Sequence, residues 1–453
     1  MVRTYLWLAL CLGCVGGEEW SRFRGPGGSG IAEGTGYPAE FSATKNLVWT
    51  QATPAGKSSP VLTRDAVFLT GERGDELLVI CLDRKTGSSR WERSIKRSRR
   101  EAQHTLNTGA SATPASDGEN VYAFFGNFGL ISYDGRGKER WRRPLGPFSS
   151  LWGMASSPVI ADGLVVMVLD GFGESYMAAF DAKSGQERWR TGRAPFALNY
   201  STPVVRGEEV IVIGPGKVAG YELKTGRERW AGKLPVASYV ASPAVGDKMA
   251  FTLSYSVEQS PSFDDQLKNL DKNGDGKLGA DEFGTGDNAR IVESFAQMAG
   301  NKDGVLERAE WVEVIREWVG RPAMTGARLG GGAGGWSHTK SVARVSTPLL
   351  FEGLVYSVAN GGILTAIEVE TGVAAKTGRL AGALDNYFAS PVMGGGMLYL
   401  TAESGKVVVV RPGREWQVLA VNDLGEECFA TPALSAGQIY IRTAGSLRRF
   451  ETR

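Results

Sequence analysis

Residues 271–282 read Asp-Lys-Asn-Gly-Asp-Gly-Lys-Leu-Gly-Ala-Asp-Glu. Oxygen donors recur at every second position: the side chains of Asp271, Asn273 and Asp275, then the backbone carbonyl of Lys277. Glu282 closes the set with two carboxylate oxygens, and Gly276 supplies the sharp turn at the sixth place. Hard donors in this order, with a bidentate glutamate that raises the coordination number, suit Ca²⁺ better than Mg²⁺. Three carboxylates held this close repel one another until a cation arrives. A second loop follows the same spacing with Asn301, Asp303, Val305, Glu307 and Glu310 around Gly304. Its first position is Ala299, so it lacks one carboxylate and reads as a worn partner loop with a weaker site. Residues 263–270 are expected to form the entering helix, and residues 311–319 an amphipathic exiting helix that Pro322 ends. The expectation is a pair of EF-hand loops within residues 258–320.

Other chemistry is thin. The chain has two histidines, His104 and His338, too few for a histidine zinc site and poor material for a serine triad. No phosphate-cradling glycine loop of the strand–GxxxxGK type is present. A net charge of +2 offers no field for nucleic acid or an anionic membrane. The run Lys96-Arg-Ser-Arg-Arg100 reads as a solvated loop, with a docking patch as the alternative.

The elements that must carry the loops are set by a repeat. Ser/Thr-Pro steps occur at Ser59, Thr113, Ser157, Thr202, Ser242, Thr347, Ser390 and Thr431, with prolines 40–54 residues apart except for one gap of 105. A period of about 40–50 residues is that of propeller blades, and the wide gap holds the metal-loop insertion. Each step opens an apolar segment, followed by a polar turn and an alternating strand such as 210–213 or 397–400. A carboxylate then precedes a Ser/Thr-Gly turn and a tryptophan. Asp83 leads to Trp91, Asp181 to Trp189 and Glu222 to Trp230 at one offset, and Asp134 to Trp141 one residue shorter. The carboxylate is suited to accept turn N–H groups, the glycine to take positive φ, and the indole to fill the seam between sheets. Later copies decay, with Lys376 standing where a tryptophan is due. Residues 46–49 supply a tryptophan strand with no motif before it, while the last unit ends without one. The chain therefore reads as all-β, an eight-bladed β-propeller of four-stranded blades, closed by the N-terminal strand and carrying a small helical insertion. Seven blades is the alternative if the unit around 328–336 is not a blade. In a propeller, loops entering the innermost strands converge on one channel mouth. Asn107, Trp152, Tyr200, Tyr239, Asp385, Tyr387, Glu427 and Phe429 precede the steps there. They read as a binding surface for a small polar molecule or peptide, with inter-blade packing as the competing role.

Residues 1–17 read as an export signal: Arg3, a short apolar run over 5–12, then small residues. Cleavage after Gly17 is expected, the alternative being a lipoprotein cut that acylates Cys14 and anchors the chain. Cys81 and Cys428 then remain, read as buried free thiols unless blades one and eight bring them together. The organisation is a signal (1–17), a lead segment (18–45), blades one to five in first part (46–257), the insertion (258–320), and the remainder of the ring (321–453).

The segment from Ala179 to Trp189 matches the tryptophan-docking pattern A-x-D-x-x-[ST]-G-x-E-x-W, and the chain resembles the quinoprotein-type (PQQ-like) β-propeller repeat proteins. Residues 20–30, WSRFRGPGGSG, resemble the opening of exported members. The resemblance implies one of two roles. One is a non-catalytic binding or scaffolding propeller at the periplasm or cell envelope, as in the outer-membrane assembly lipoprotein, with an envelope protein or small polar ligand as partner. The alternative is a PQQ-dependent oxidoreductase working at the channel mouth. Such enzymes share an adjacent cysteine pair, which this chain lacks, so the scaffold is the primary reading, with Ca²⁺ rather than PQQ as the bound group.

Overall fold

The computed structural model describes residues 19–97, 99–100, 103–104, 106–148, 150, 152–171, 174–193, 199–235, 237–255, 262–279, 281–282, 296, 301, 303–312, 322–332 and 334–453. The export signal, position 299 and most of the exiting helix lie outside them; the backbone of 308–312 is helical. Eight sheets, antiparallel except for one added strand in the seventh, follow one another around a ring. Blade 1 runs from Val61–Leu62 through Ala66–Arg73 and Glu76–Asp83 to Ser89–Lys96, and blades 2, 3, 4 and 6 repeat its order from inside to outside. Blade 5 is a true blade: Ala244–Val245, Met249–Ser254, Ala323–Arg328 and Trp336–His338 pair in sequence, and the insertion departs between its second and third strands. Blade 8 takes its outermost strand, Leu47–Ala52, from the N-terminal side, paired with Ser446–Glu451. That closure removes the open ends an arc of sheets would expose.

The Ser/Thr-Pro steps make a belt. The Ser59 N–H donates to Thr113 Oγ1, Thr113 to Ser157 Oγ, Ser157 to Thr202 Oγ1, and Thr202 to Ser242 Oγ. Ser242 continues to Thr347, Thr347 to Ser390 and Ser390 to Thr431, all seven bonds measuring 2.9–3.0 Å. All eight step residues are buried. The seven hydroxyls from Thr113 to Thr431 thus each satisfy a backbone donor of the preceding blade, which explains why the repeat needs Ser or Thr there: a methyl would strand a buried N–H. At the seam between blades 8 and 1, buried Arg442 donates to Ser58 Oγ at 2.7 Å, Thr70 O at 2.8 Å and Pro54 O at 3.0 Å.

The tryptophans seal the seams farther out. The indole N–H groups of Trp49, Trp91, Trp141, Trp189 and Trp336 each donate to the carbonyl one residue past the acidic turn residue of the next blade: Arg84, Gly135, Ala182, Leu223 and Val369. Each plate covers that turn's glycine. Gly185 has φ +69°, and a Cβ there would lie 2.6 Å from Trp141 Cδ2. The acidic residues close their own turns, Asp83 accepting from the Lys85 and Thr86 N–H groups, from Thr86 Oγ1 and from Arg90. Three seams depart from the pattern, and in the one between blades 7 and 8 Ala420 stands in the tryptophan's place. Trp230 donates to Glu209 of its own blade. At the sixth blade, Lys376 donates to Trp416 O at 3.0 Å and sits 4.8 Å from that indole's centre. The decayed copy is therefore a reversed seam, filled by a tryptophan from the following blade.

Residues 20–32 are more than a lead: they form a hub across one end of the channel. Trp20, fully buried, pairs with Leu62 of blade 1. Arg22 reaches Pro203 O of blade 4 at 3.4 Å. Buried Arg24 donates to five backbone carbonyls at 2.8–3.2 Å, among them Thr347, Pro348 and Pro391 of blades 6 and 7. Ile31–Ala32 then runs parallel to Val392–Gly394 as a fifth strand of blade 7. Burial pushes the Arg24 guanidinium down to about 9, which leaves it charged at neutral pH, and carbonyl dipoles stand in for a counter-ion. The basic run is likewise tied in. Arg97 pairs with Glu72, Arg99 donates to Gly126 O and Leu145 O, and Arg100 pairs with Asp75. Cys81 and Cys428 are free and buried, and burial pushes both thiols up to about 12.

Two outcomes are expected. Gly185→Ala, strained and in collision with Trp141, should lower stability by about 1–3 kcal/mol in urea unfolding. Gly192→Ala, with nothing within 4 Å of the added carbon, should stay within about 0.5 kcal/mol. The Arg90 guanidinium and the Thr86 N–H hold the Asp83 carboxyl down to about 2. A carboxylate depressed in the folded state stabilises above its unfolded pKa near 4, and that gain fades as pH falls through about 2. Asp83→Asn should therefore lower the melting temperature at pH 7, with the difference from wild type shrinking steadily below pH 4.

Candidate functional site

The belt hydroxyls surround a central cavity of about 160 Å³, with Phe23 of the hub among its lining residues. Its ring is set two residues before each step: Lys57, Ser111, Ala155, Tyr200, Val240, Val345, Phe388 and Phe429. One side of the mouth is aromatic and cationic. Phe388 stacks on Phe429 at 5.7 Å, and the Lys57 ammonium sits 3.6 Å above the Phe429 ring while donating to Leu106 O. Burial lowers the Lys57 pKa, opposed by the charges of Glu403 and Glu427. A second cavity of about 350 Å³ adjoins this side, lined by Lys57, Glu403, Glu427, Phe429 and Arg442.

The opposite side is an aromatic cluster. Trp152 stacks on Tyr200 at 5.1 Å and meets Tyr255 edge-on at 5.9 Å. Asn107 Nδ2 donates to Trp152 O at 2.6 Å. Tyr200 is held from behind by a buried ion pair: Arg193 Nε lies 3.0 Å from Asp170 Oδ1, and Asn199 Nδ2 donates to Asp170 Oδ2 at 2.8 Å. The Ser201 hydroxyl donates to Asn199 Oδ1 at 2.7 Å, which fixes the chain on both sides of the tyrosine. Desolvation pushes the Asp170 carboxyl up, with Arg193 and Asn199 opposing.

The residues expected at the mouth thus divide. Asn107, Trp152 and Tyr200 form one cluster, while Glu427 and Phe429 belong to the second cavity. Tyr239 and Tyr387 are buried, their hydroxyls donating to Pro235 O and Ala383 O, so they pack the seams and present no surface. Asp385 lies 3.8 Å from Lys406. Sequence reasoning missed Phe23, Lys57, Phe388, Glu403 and Arg442. The place two residues before each step was the signal for Lys57 and Phe388.

The insertion leaves the ring immediately after Tyr255, on the face of the aromatic cluster. Phe263–Leu270 is a helix capped by the Ser262 hydroxyl, and Asp271 ends it. Ligand atoms of Asp271, Asp275 and Glu282 lie within 4.8 Å of one another. Asp271 accepts from the Gly274 and Gly276 N–H groups, and Glu282 from those of Lys272 and Gly279. Asn273 accepts from Asp275 N, which closes the loop. Glu310 plays the same part in the second loop, accepting from Asn301 N and Glu307 N, while Asp303 accepts from Val305 N. Leu278–Gly279 and Val305–Leu306 join the two loops as an antiparallel bridge. Lys277 Nζ donates to Glu307 Oε1 at 2.7 Å, which ties the ninth position of the second loop to the first. Phe263 and Trp311 pack at 5.9 Å beneath the bridge.

The central cavity by itself, at about 160 Å³, is smaller than the about 300 Å³ and upward of small-molecule sites, whereas the adjoining cavity of about 350 Å³ falls within that range. Lys57 is the one cation among the described residues lining the central cavity, and it is engaged with Leu106 O and Phe429.

Residues 34–153 and 78–255 match a protein family described as outer membrane protein assembly factor BamB. No curated protein matches the chain. Among solved structures, BamB from Moraxella catarrhalis is similar with a TM-score of 0.56 at 13% identity, covering 89% of this chain and 98% of that one. A europium-containing methanol dehydrogenase gives 0.59 at 10% identity, covering 95% and 90%. Quinohemoprotein alcohol dehydrogenase from Comamonas testosteroni gives 0.58 at 10%, covering 96% and 80%. At these identities the likeness is one of fold.

Asp170→Asn would leave the Arg193 guanidinium buried without its counter-charge. A loss of about 3–5 kcal/mol is expected in denaturant unfolding, together with changed tryptophan fluorescence as the Trp152–Tyr200 stack loosens.

Proposed function

Because the chain is a β-propeller built of the quinoprotein-type (PQQ-like) repeat, we propose that it works as an exported, calcium-binding scaffold at the cell envelope. The observation that carries this reading is the small cavity floored by the chain's own Phe23, which leaves the mouth face as the surface open to a partner. The partner would be an envelope protein or a small polar ligand meeting the Trp152–Tyr200–Tyr255 cluster. The similarity to BamB, an outer membrane protein assembly factor by its family description, supports an envelope partner. Acylation of Cys14 would add a membrane anchor.

Calcium would bind Asp271, Asn273, Asp275, the Lys277 carbonyl and Glu282. The convergence of the three carboxylates supports this first loop. The second loop, with Glu307 held by Lys277, would serve mainly as its structural partner. The ion would neutralise three close carboxylates and order the insertion beside the mouth. Millimolar calcium outside the cytosol would keep even a weak site filled.

Isothermal calorimetry of the mature chain should show Ca²⁺ binding, weakened at least about tenfold by Glu282→Gln. Pull-downs from envelope extract should recover a partner with Ca²⁺ and lose it with chelator. A new visible absorbance band with dye-linked substrate oxidation, after mixing with quinone and Ca²⁺, would instead establish the oxidoreductase reading. Absence of Ca²⁺ heat would refute the metal site.

A further inference from the structure

The outermost strand of a blade is an exposed sheet edge, open to pairing with another chain. Most blades of this ring guard theirs with charge. Blade 1 ends in Ser89–Lys96, with Arg90, Glu92, Arg93 and Lys96. Blades 2, 3 and 4 end in Glu139–Pro144, Glu187–Gly192 and Glu228–Lys233, each opening Glu-Arg-Trp. Blade 6 carries Lys376 and Arg379 on Ala374–Arg379, and the blade 5 edge is three residues long.

Blade 7 differs. Its edge is the seven-residue strand Gln417–Asp423, whose centre reads Val-Leu-Ala-Val and bulges at Leu419. Val418, Leu419 and Val421 are 37–40% exposed, three of the seven exposed large apolar side chains among the described residues. Gly382 sits beside Val421, and Leu384, two residues on, is a fourth at 58%. On the other face of the strand, Asn422 is occupied by Phe41 N and Ala39 O of the lead segment. That contact leaves the edge itself uncovered.

We propose that this edge pairs antiparallel with the same strand of a second copy, about a two-fold axis through Ala420. The sequence is self-complementary in that register. Ala420 faces its equivalent, Leu419 faces Val421, Val418 faces Asn422 and Gln417 faces Asp423. The charges agree as well. Arg411 donates to Gln417 Oε1 at 3.2 Å, so the exposed Asp423 of a second copy arrives beside a guanidinium at both ends of the pairing. Leu419 and Val421 of both copies then bury one another on a single face, flanked by Leu384. The pairing is isologous and closed, so it makes a dimer and not a fibre. The mouth and the insertion stay free, so each dimer presents two mouths.

Sedimentation velocity of the mature chain should show a species that moves from one chain mass to two as concentration rises. Leu419→Lys should hold it at one chain mass with near-UV circular dichroism unchanged. Val373→Lys, at an exposed apolar site in a blade 6 turn, should leave the dimer intact. Ala420→Cys should cross-link into a covalent dimer under mild oxidant, at least about tenfold faster than Val418→Cys, since only a residue on the axis meets its own copy at disulfide distance. Cys81 and Cys428 are buried and do not interfere. A chain that stays monomeric at every concentration would overturn the proposal. So would a dimer that survives Leu419→Lys, or equal cross-linking at positions 418 and 420.

Discussion

The ring depends on one hydrogen bond made again and again: the backbone N–H of a step residue given to the hydroxyl of the next blade's step residue. The innermost strands are two or three residues long, too short to hold neighbouring blades together by their own ladders. The belt supplies that link at the tightest radius of the ring, where all eight step residues are buried. The proline that follows has no N–H to satisfy, and several of these prolines offer their carbonyls to the hub arginines instead. Belt and hub are thus two halves of one arrangement.

Function follows from that closure. A hub with two buried arginines crosses one end of the channel, and Phe23 rises from it into the cavity. The other end of the channel carries two groups of described residues. Lys57 and the Phe388–Phe429 pair stand on one side, and the Trp152–Tyr200–Tyr255 cluster, braced by Asp170–Arg193, stands on the other. The insertion departs between the second and third strands of blade 5, beyond Tyr255.

Much of this was legible in the sequence because it repeats. The step period gave the blade number, and the carboxylate–glycine–tryptophan offset gave the seams, down to the turn N–H bonds on Asp83. The unmatched tryptophan of residues 46–49 gave the closure by Leu47–Ala52. What does not repeat was not legible. Arg24 is a single arginine in a glycine-rich stretch, and nothing local says that its partners lie more than 300 residues away. The Lys376–Trp416 seam was hidden because the tryptophan arrives from the opposite side. Tyr239 and Tyr387 stand near the steps as Tyr200 does, but their hydroxyls find carbonyls four residues back. Sequence position alone cannot separate a seam tyrosine from one that lines the central cavity.

If belt and hub lock the ring as one unit, its inner amides can open only when the whole ring does. Native-state hydrogen exchange of the Ser59, Thr113, Ser157, Thr202, Ser242, Thr347 and Ser390 amides tests this directly. One shared opening free energy, equal to that of global unfolding, is the predicted result. Exchange that spreads blade by blade, with some belt amides opening well below the global value, would contradict the account.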